Sequence, residues 1–120
     1  MPRLMALVSC LVLASASMAQ LATQTGTGVT VRALDKLTGD VEDLQIVNSQ
    51  SVTFGRITVQ ANECRYPEGN AAGEAYASLI ITEVGKDGPV YQGWMIASSP
   101  ALNAMDHQRY DVWVLRCTTS

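Results

Sequence analysis

The dominant pattern along this chain is alternation of apolar and polar positions. Val29, Val31 and Ala33 alternate with Thr30 and Arg32, which predicts a half-buried strand over 29–34. Asp35-Lys36-Leu37-Thr38-Gly39-Asp40 reads as a hairpin connection, with Gly39 supplying a positive φ at low steric cost. A second strand follows over Val41 to Val47, and Asn48-Ser49-Gln50 turns the chain. Ser51 to Glu63 reads as a longer β stretch in which Gly55 marks a bulge or bend.

After Gly55, Ile57, Val59 and Ala61 alternate with Thr58, Gln60 and Asn62, and Cys64 falls in phase with the polar set. Two arrangements follow from that phase. Either Cys64 lies at the sheet margin, or a second irregularity rotates the chain before it. Arg65 to Gly73 carries Pro67, Gly69, Asn70 and Gly73 and predicts a loop. Glu74 to Val84 predicts a strand around Leu79-Ile80-Ile81, with alanines at its start that also admit a short helix. Gly85-Lys86-Asp87-Gly88 predicts a tight hairpin, because Asp-Gly favours the type I′ geometry that matches strand twist.

The late segment from Tyr91 to Cys117 holds both tryptophans and the single histidine. Val90 to Ala97 predicts a strand. Ser98-Ser99-Pro100 predicts a helix start, with a serine as N-cap and proline at the first helical position, continuing through Ala101 to Met105. The last strand is expected over Tyr110 to Cys117, apolar on both faces and therefore central, with Trp113 in the core. Together these elements predict an all-β fold: a small antiparallel sandwich or barrel of six to seven strands, with one short helix before the last strand.

Composition adds a compartment. Arg3, the apolar run Leu4 to Leu13 and the small-x-small sequence Ser17-Met18-Ala19 predict a cleaved signal peptide over residues 1–19. A lipidated Cys10 is the rival, but Leu11-Val12-Leu13 carry the apolar run past that cysteine. The run is shorter than the roughly 20 residues that span a bilayer, so no integral membrane segment is expected after cleavage. Residues 20–28, rich in Thr, Gly and Gln, are expected to form a flexible N-terminal arm ahead of a single β domain over 29–120. The expected location is the periplasm.

Loss of Arg3 with the leader takes the formal charge from −3 to −4. That balance disfavours nucleic acid as a partner, since phosphate binding needs clustered Lys and Arg. Cys64 and Cys117 remain as an even pair in an oxidising compartment, which predicts a disulfide.

Candidate chemistry is thin. Ser98 or Ser99, His107 and Asp106 or Asp111 are the residue types of a hydrolytic triad. No glycine-rich elbow surrounds either serine, and both serve the expected helix cap, so no catalytic residue is assigned. A lone histidine without closely spaced cysteines gives no zinc pattern, and Asp40, Glu42 and Asp43 read as a solvated hairpin more readily than as a calcium site. No metal or cofactor is expected. The expected interaction or ligand surface comprises Tyr91, Trp94, Met95, Ser99, Leu102, Met105, His107 and Tyr110. Trp94 follows Gly93, whose missing side chain leaves room for an aromatic ring over the backbone. Methionines give such a surface adaptability.

The segments GWMIASSPALNAMDHQRYDVWVLRC and VTFGRITVQANEC resemble a family of secreted proteobacterial proteins of unknown function, DUF2155, over about Leu34 to Cys117. The resemblance implies a periplasmic protein with the pair Cys64 and Cys117, and it carries no activity. It also suggests an envelope or respiratory-complex association, which no residue here encodes. The functional expectation is a non-enzymatic accessory domain that binds another envelope protein. The alternative is a module that binds a glycan or a small envelope ligand through Trp94 or Tyr91.

Overall fold

A computed structural model of the protein describes residues 22–120. The expected signal peptide lies outside the described residues, as do Gln20 and Leu21 of the expected arm. Among the described residues, eight antiparallel strands form two sheets, and no helix is present.

The first sheet is built on β5 (Ile57–Pro67), β6 (Tyr76–Glu83) and β7 (Tyr91–Ile96). β1 (Thr23–Thr25) and β4 (Ser51–Phe54) pair end to end along the other edge of β5. The second sheet has the order β3 (Val41–Val47), β2 (Gly28–Asp35), β8 (Tyr110–Thr118). The phase predicted for β2 holds on the inward face, where Val29, Val31 and Ala33 are fully buried; on the opposite face Arg32 is partly exposed, but Thr30 is buried as well. The inward three face Ile57, Val59, Ala61, Leu79 and Ile81 of the other sheet, and the whole set forms one apolar cluster.

Both cysteines reach this core by the same device. Asn62 is an extra residue in β5, because Ala61 pairs with Leu79 while Glu63 pairs with Ser78. Leu115 is an extra residue in β8, because Val114 pairs with Val31 while Arg116 pairs with Thr30. Each bulge shifts the side-chain phase by one residue two positions before a cysteine. Cys64, out of phase with Ala61, therefore points inward, and so does Cys117, out of phase with Val114; they are 0% and 5% exposed. The Cys64–Cys117 disulfide, with Cα atoms 5.6 Å apart, thus joins the two sheets through the core. Of the two arrangements left open by the sequence, the second irregularity is the one found.

Several expectations are corrected. Gly55 is the first residue of a two-residue hairpin between Phe54 and Ile57, not a bulge. Its φ is +58°, and a Cβ there would meet the Tyr110 hydroxyl at 2.6 Å, so glycine is required twice over. The expected Arg65–Gly73 loop is shorter, because β5 runs on to Pro67 by pairing with β1. That pairing also places a strand inside the segment expected to be a flexible arm, and the Gly26 amide donates to the Cys64 carbonyl at 2.7 Å. The connection from β6 to β7 is wider than a type I′ turn, since Glu83 ends one strand and Tyr91 begins the next.

The expected helix after Ser98 is replaced by two successive turns, Ser99 N–H to Ile96 O and Leu102 N–H to Ser99 O. Asn103 then adopts a φ of +56°, and the chain runs on without regular secondary structure through Gln108. The reason is reach. Residues 97–109 leave beside Ala75, at the start of β6, and arrive beside Glu83, at its end. That path is roughly 25 Å at about 3.3 Å per residue of strand, and a helix rising about 1.5 Å per residue would need about 17 residues to span it, more than the segment holds. This segment is a strap along the side of the sandwich.

Trp113 is not in the core. β8 is an edge strand, and the face carrying Trp113 and Leu115 is half-exposed on the outside of the second sheet. Trp94 also points outward, 41% exposed. Small aliphatic side chains, with Phe54 and Tyr110, fill the interior instead.

Candidate functional site

The late residues singled out by sequence gather on and under the strap. Two glutamates bracketing β6 hold its ends. Glu74 Oε1 accepts the Ser98 amide at 2.9 Å, and the Glu74 carboxylate also accepts the Ser98 hydroxyl. Burial pushes the Glu74 carboxyl up, but the Ser98 hydroxyl and the amides of Ser98 and Ala75 outweigh it and leave the group lowered. Midway, the Asn103 side-chain amide donates to the Trp94 carbonyl on the edge of β7.

At the far end Glu83 receives His107 Nε2. His107 Nδ1 accepts the backbone amides of Arg109 and Tyr110, each at 3.0 Å. An acceptor at Nδ1 puts the ring proton on Nε2, where it is donated to the carboxylate. That hydrogen bond is the largest influence lowering the Glu83 carboxyl. The ring is thereby a cap for the first turn into β8, with both nitrogens engaged.

The residues after His107 anchor β8. Arg109 forks onto Asp35 with Nε and Nη2 at 2.9–3.2 Å, and its guanidinium carbon lies 5.1 Å from the centre of the Tyr110 ring. Asp35 also accepts the amides of Leu37 and Thr38, turning the β2–β3 hairpin. The Arg109 contact lowers the Asp35 carboxyl most; burial opposes it, the two amides reinforce it, and the group settles at about 2. Tyr110 is 1% exposed, takes the Arg56 amide on its hydroxyl at 3.0 Å, and meets Phe54 edge-to-face at 6.0 Å.

Two clefts flank this anchor and share Asp106 and His107. One, of about 610 Å³, is lined by charged groups that include Arg56, Glu83, Lys86 and Arg109. The other, of about 430 Å³, lies between the strap and the outer face of β8. Trp113 and Met105 with Pro100, Ala101 and Ala104 give it apolar walls, and Lys36, Asp106 and Asp111 give it a polar rim. Lys36 Nζ donates to the His107 carbonyl and ties the hairpin to the strap.

Of the eight residues expected at a surface, Met95, Met105 and Tyr110 are buried in the core cluster, and Tyr91 packs against it. Burial raises the Tyr91 hydroxyl pKa. The Tyr91 ring lies beside Gly93, its hydroxyl 3.3 Å from where an added Cβ would stand. Ser99 and His107 are half-buried. Trp94 and Leu102 are the two large apolar side chains of the set that face outward. Trp94 lines neither of the two clefts, whereas His107 lines both.

The serine–histidine–aspartate grouping does not assemble. Ser98 and His107 bond to different glutamates, and Asp106 and Asp111 bond to neither of them. Sequence reading passed over Glu74 and Glu83, although their positions at the two ends of one strand were visible. It also passed over Asp35, whose place at the head of an Asp-x-x-x-Gly turn was a usable signal. Asp43, from the acidic hairpin group, is held by the Arg32 fork.

Comparison with known proteins gives a family match without an activity. Residues 29–117 match the family described as "Uncharacterized protein conserved in bacteria (DUF2155)". The chain is 27% identical over 88 residues to an uncharacterized protein of Rickettsia prowazekii (strain Madrid E), covering 71% of this chain and 57% of that relative. It thus spans little more than half the length of the relative. No solved structure matches it.

Proposed function

The chain belongs to the bacterial DUF2155 family, and on that premise we propose that it is a non-enzymatic periplasmic domain that docks another envelope protein. One observation carries the non-enzymatic part. A general base needs a free nitrogen aimed at substrate, and His107 spends Nε2 on Glu83 and Nδ1 on two backbone amides. Ser98 spends its amide and hydroxyl on Glu74, and the Ser99 backbone closes the two turns.

The strap supplies the docking surface. Leu102 stands 55% exposed on it, and the cleft between strap and β8 combines a tryptophan and a buried methionine with a polar rim. The pinning at Ser98, Asn103 and His107 keeps this surface in one shape before a partner arrives, which reduces the ordering cost of association. The core disulfide supports the periplasmic reading, since such bonds persist in oxidising compartments.

The test is site-specific photo-crosslinking in intact cells. A photoreactive residue at position 102 is expected to give a discrete adduct with one envelope protein. The same residue at Thr53, on the outer face of the other sheet, is expected to give none. Equal labelling from both positions, or hydrolase activity abolished by His107→Ala, would overturn the proposal.

A further inference from the structure

The outer face of the five-stranded sheet carries a second feature, separate from the strap cleft. We propose that this face binds a neutral glycan, with the Trp94 indole as the stacking platform and a side-chain amide relay as the hydrogen-bonding strip beside it.

Register brings the parts together. Ser78 lies opposite Trp94, and Ile80 lies between Gln92 and Gln60. Gln60 Nε2 donates to Asn62 Oδ1 at 3.3 Å, and Asn62 Nδ2 donates to Ser78 Oγ at 3.1 Å. This relay leaves the Ser78 proton and the Gln60 carbonyl oxygen without partners among the described residues. The strip thus offers a donor at one end and an acceptor at the other, which is what neighbouring sugar hydroxyls require.

Trp94 is held for the task. Its carbonyl is fixed by the Tyr91 hydroxyl and the Asn103 amide, each at 3.3 Å, while its side chain remains 41% exposed. A half-exposed indole on the outward face of a sheet can stack on the C–H face of a pyranose ring with little loss of conformational freedom.

Charge selects the ligand class. The outward positions of β6 and β7 carry no ionisable group apart from the Tyr76 phenol, and the nearest charges on β5, Glu63 and Arg65, lie 3.6 Å apart and neutralise each other. A face that is aromatic, amide-bearing and neutral complements an uncharged polyhydroxyl chain. It does not complement an anionic polymer, which needs clustered cations, nor a basic peptide. The bulge residue Asn62 contributes to the relay, so the irregularity that turns Cys64 inward also sets the middle of this strip.

The inference does not rest on the docking of a protein partner, and failure of crosslinking at position 102 leaves it intact. It is tested with the full oxidised chain carrying Trp113→Phe, which makes Trp94 the only indole. Titration with an N-acetylglucosamine oligomer is expected to change Trp94 emission saturably. By calorimetry, Trp94→Ala is expected to lose affinity by at least about tenfold, equivalent to one aromatic contact, while Trp94→Tyr retains most of it. Circular dichroism establishes that each variant is folded. The proposal is overturned by an emission unchanged across neutral glycans, by equal affinity of Trp94→Ala, or by binding confined to charged polysaccharides and abolished by salt. Concentration-dependent self-association that shields Trp94 would overturn it as well.

Discussion

Opening the Cys64–Cys117 bond tests the architecture most directly. The two cysteines are separated by 53 positions, so the bond closes a loop of about that length in the unfolded chain. The chain-entropy relation assigns such a loop about 4 kcal/mol of stabilisation near room temperature. Domains of this size hold only about 5–15 kcal/mol in total, so the bond accounts for about a quarter or more of the margin. The structure adds a second loss. Both sulfurs lie in the apolar cluster between the sheets, so a Cys64→Ala/Cys117→Ala pair also leaves space there that the flanking side chains must fill. The expected result in denaturant titration is a drop of about 4 kcal/mol or more for the double variant, with the reduced wild type lying close to it. Comparing slopes separates a true stability change from a change in the compactness of the unfolded chain. A midpoint within about 0.5 kcal/mol of the oxidised protein would refute the view that this bond stitches two sheets that otherwise meet over a modest core.

Four further outcomes follow from the geometry. Deletion of Asn62 removes the bulge and turns Cys64 outward, so a thiol assay on oxidised protein should find two free sulfhydryls; an intact bond would contradict the phase argument. Gly55→Ala should cost about 2–4 kcal/mol, from left-handed backbone strain and displacement of the Tyr110 hydroxyl, measured by thermal or denaturant unfolding. His107→Ala should destabilise by about 1–3 kcal/mol, measured by denaturant unfolding, by leaving the Arg109 and Tyr110 amides without their acceptor, and should weaken partner crosslinking at position 102 because the strap loses one of its pins. The Asp35 carboxyl is depressed from 3.8 to about 2, so its contribution is fully present above 3.8 and is lost as pH falls through about 2. Glu74 and Glu83, also lowered, act in the same sense. Asp35→Asn should therefore flatten, without abolishing, the acid limb of stability against pH; an unchanged slope would remove the Arg109 fork from the account.

Much of the strand pattern was legible because alternation is a local property. The Val29–Ala33 phase, the β3 boundaries, and the Ile57–Ala61 phase are all written in neighbouring residues. The cysteine pair was legible from counting. The family resemblance agreed with the match over residues 29–117.

What the residues alone did not decide lies where two distant segments meet. Asn62 and Leu115 are ordinary strand residues by propensity, and only pairing with β6 and β2 makes each of them one too many. Ser98-Ser99-Pro100 satisfies every local rule for a helix start, yet the strap must span the length of β6, and reach outweighs propensity. Trp113 reads as core until the second sheet packs on the first through Val112, Val114 and Cys117, which leaves the face carrying Trp113 on the outside. His107 and Ser98 look like partners in sequence and are separated in space because each meets a different end of β6. Local chemistry set which segments are strands; the packing of one sheet on the other set which side chains those strands hide, and so which groups remain to meet a ligand.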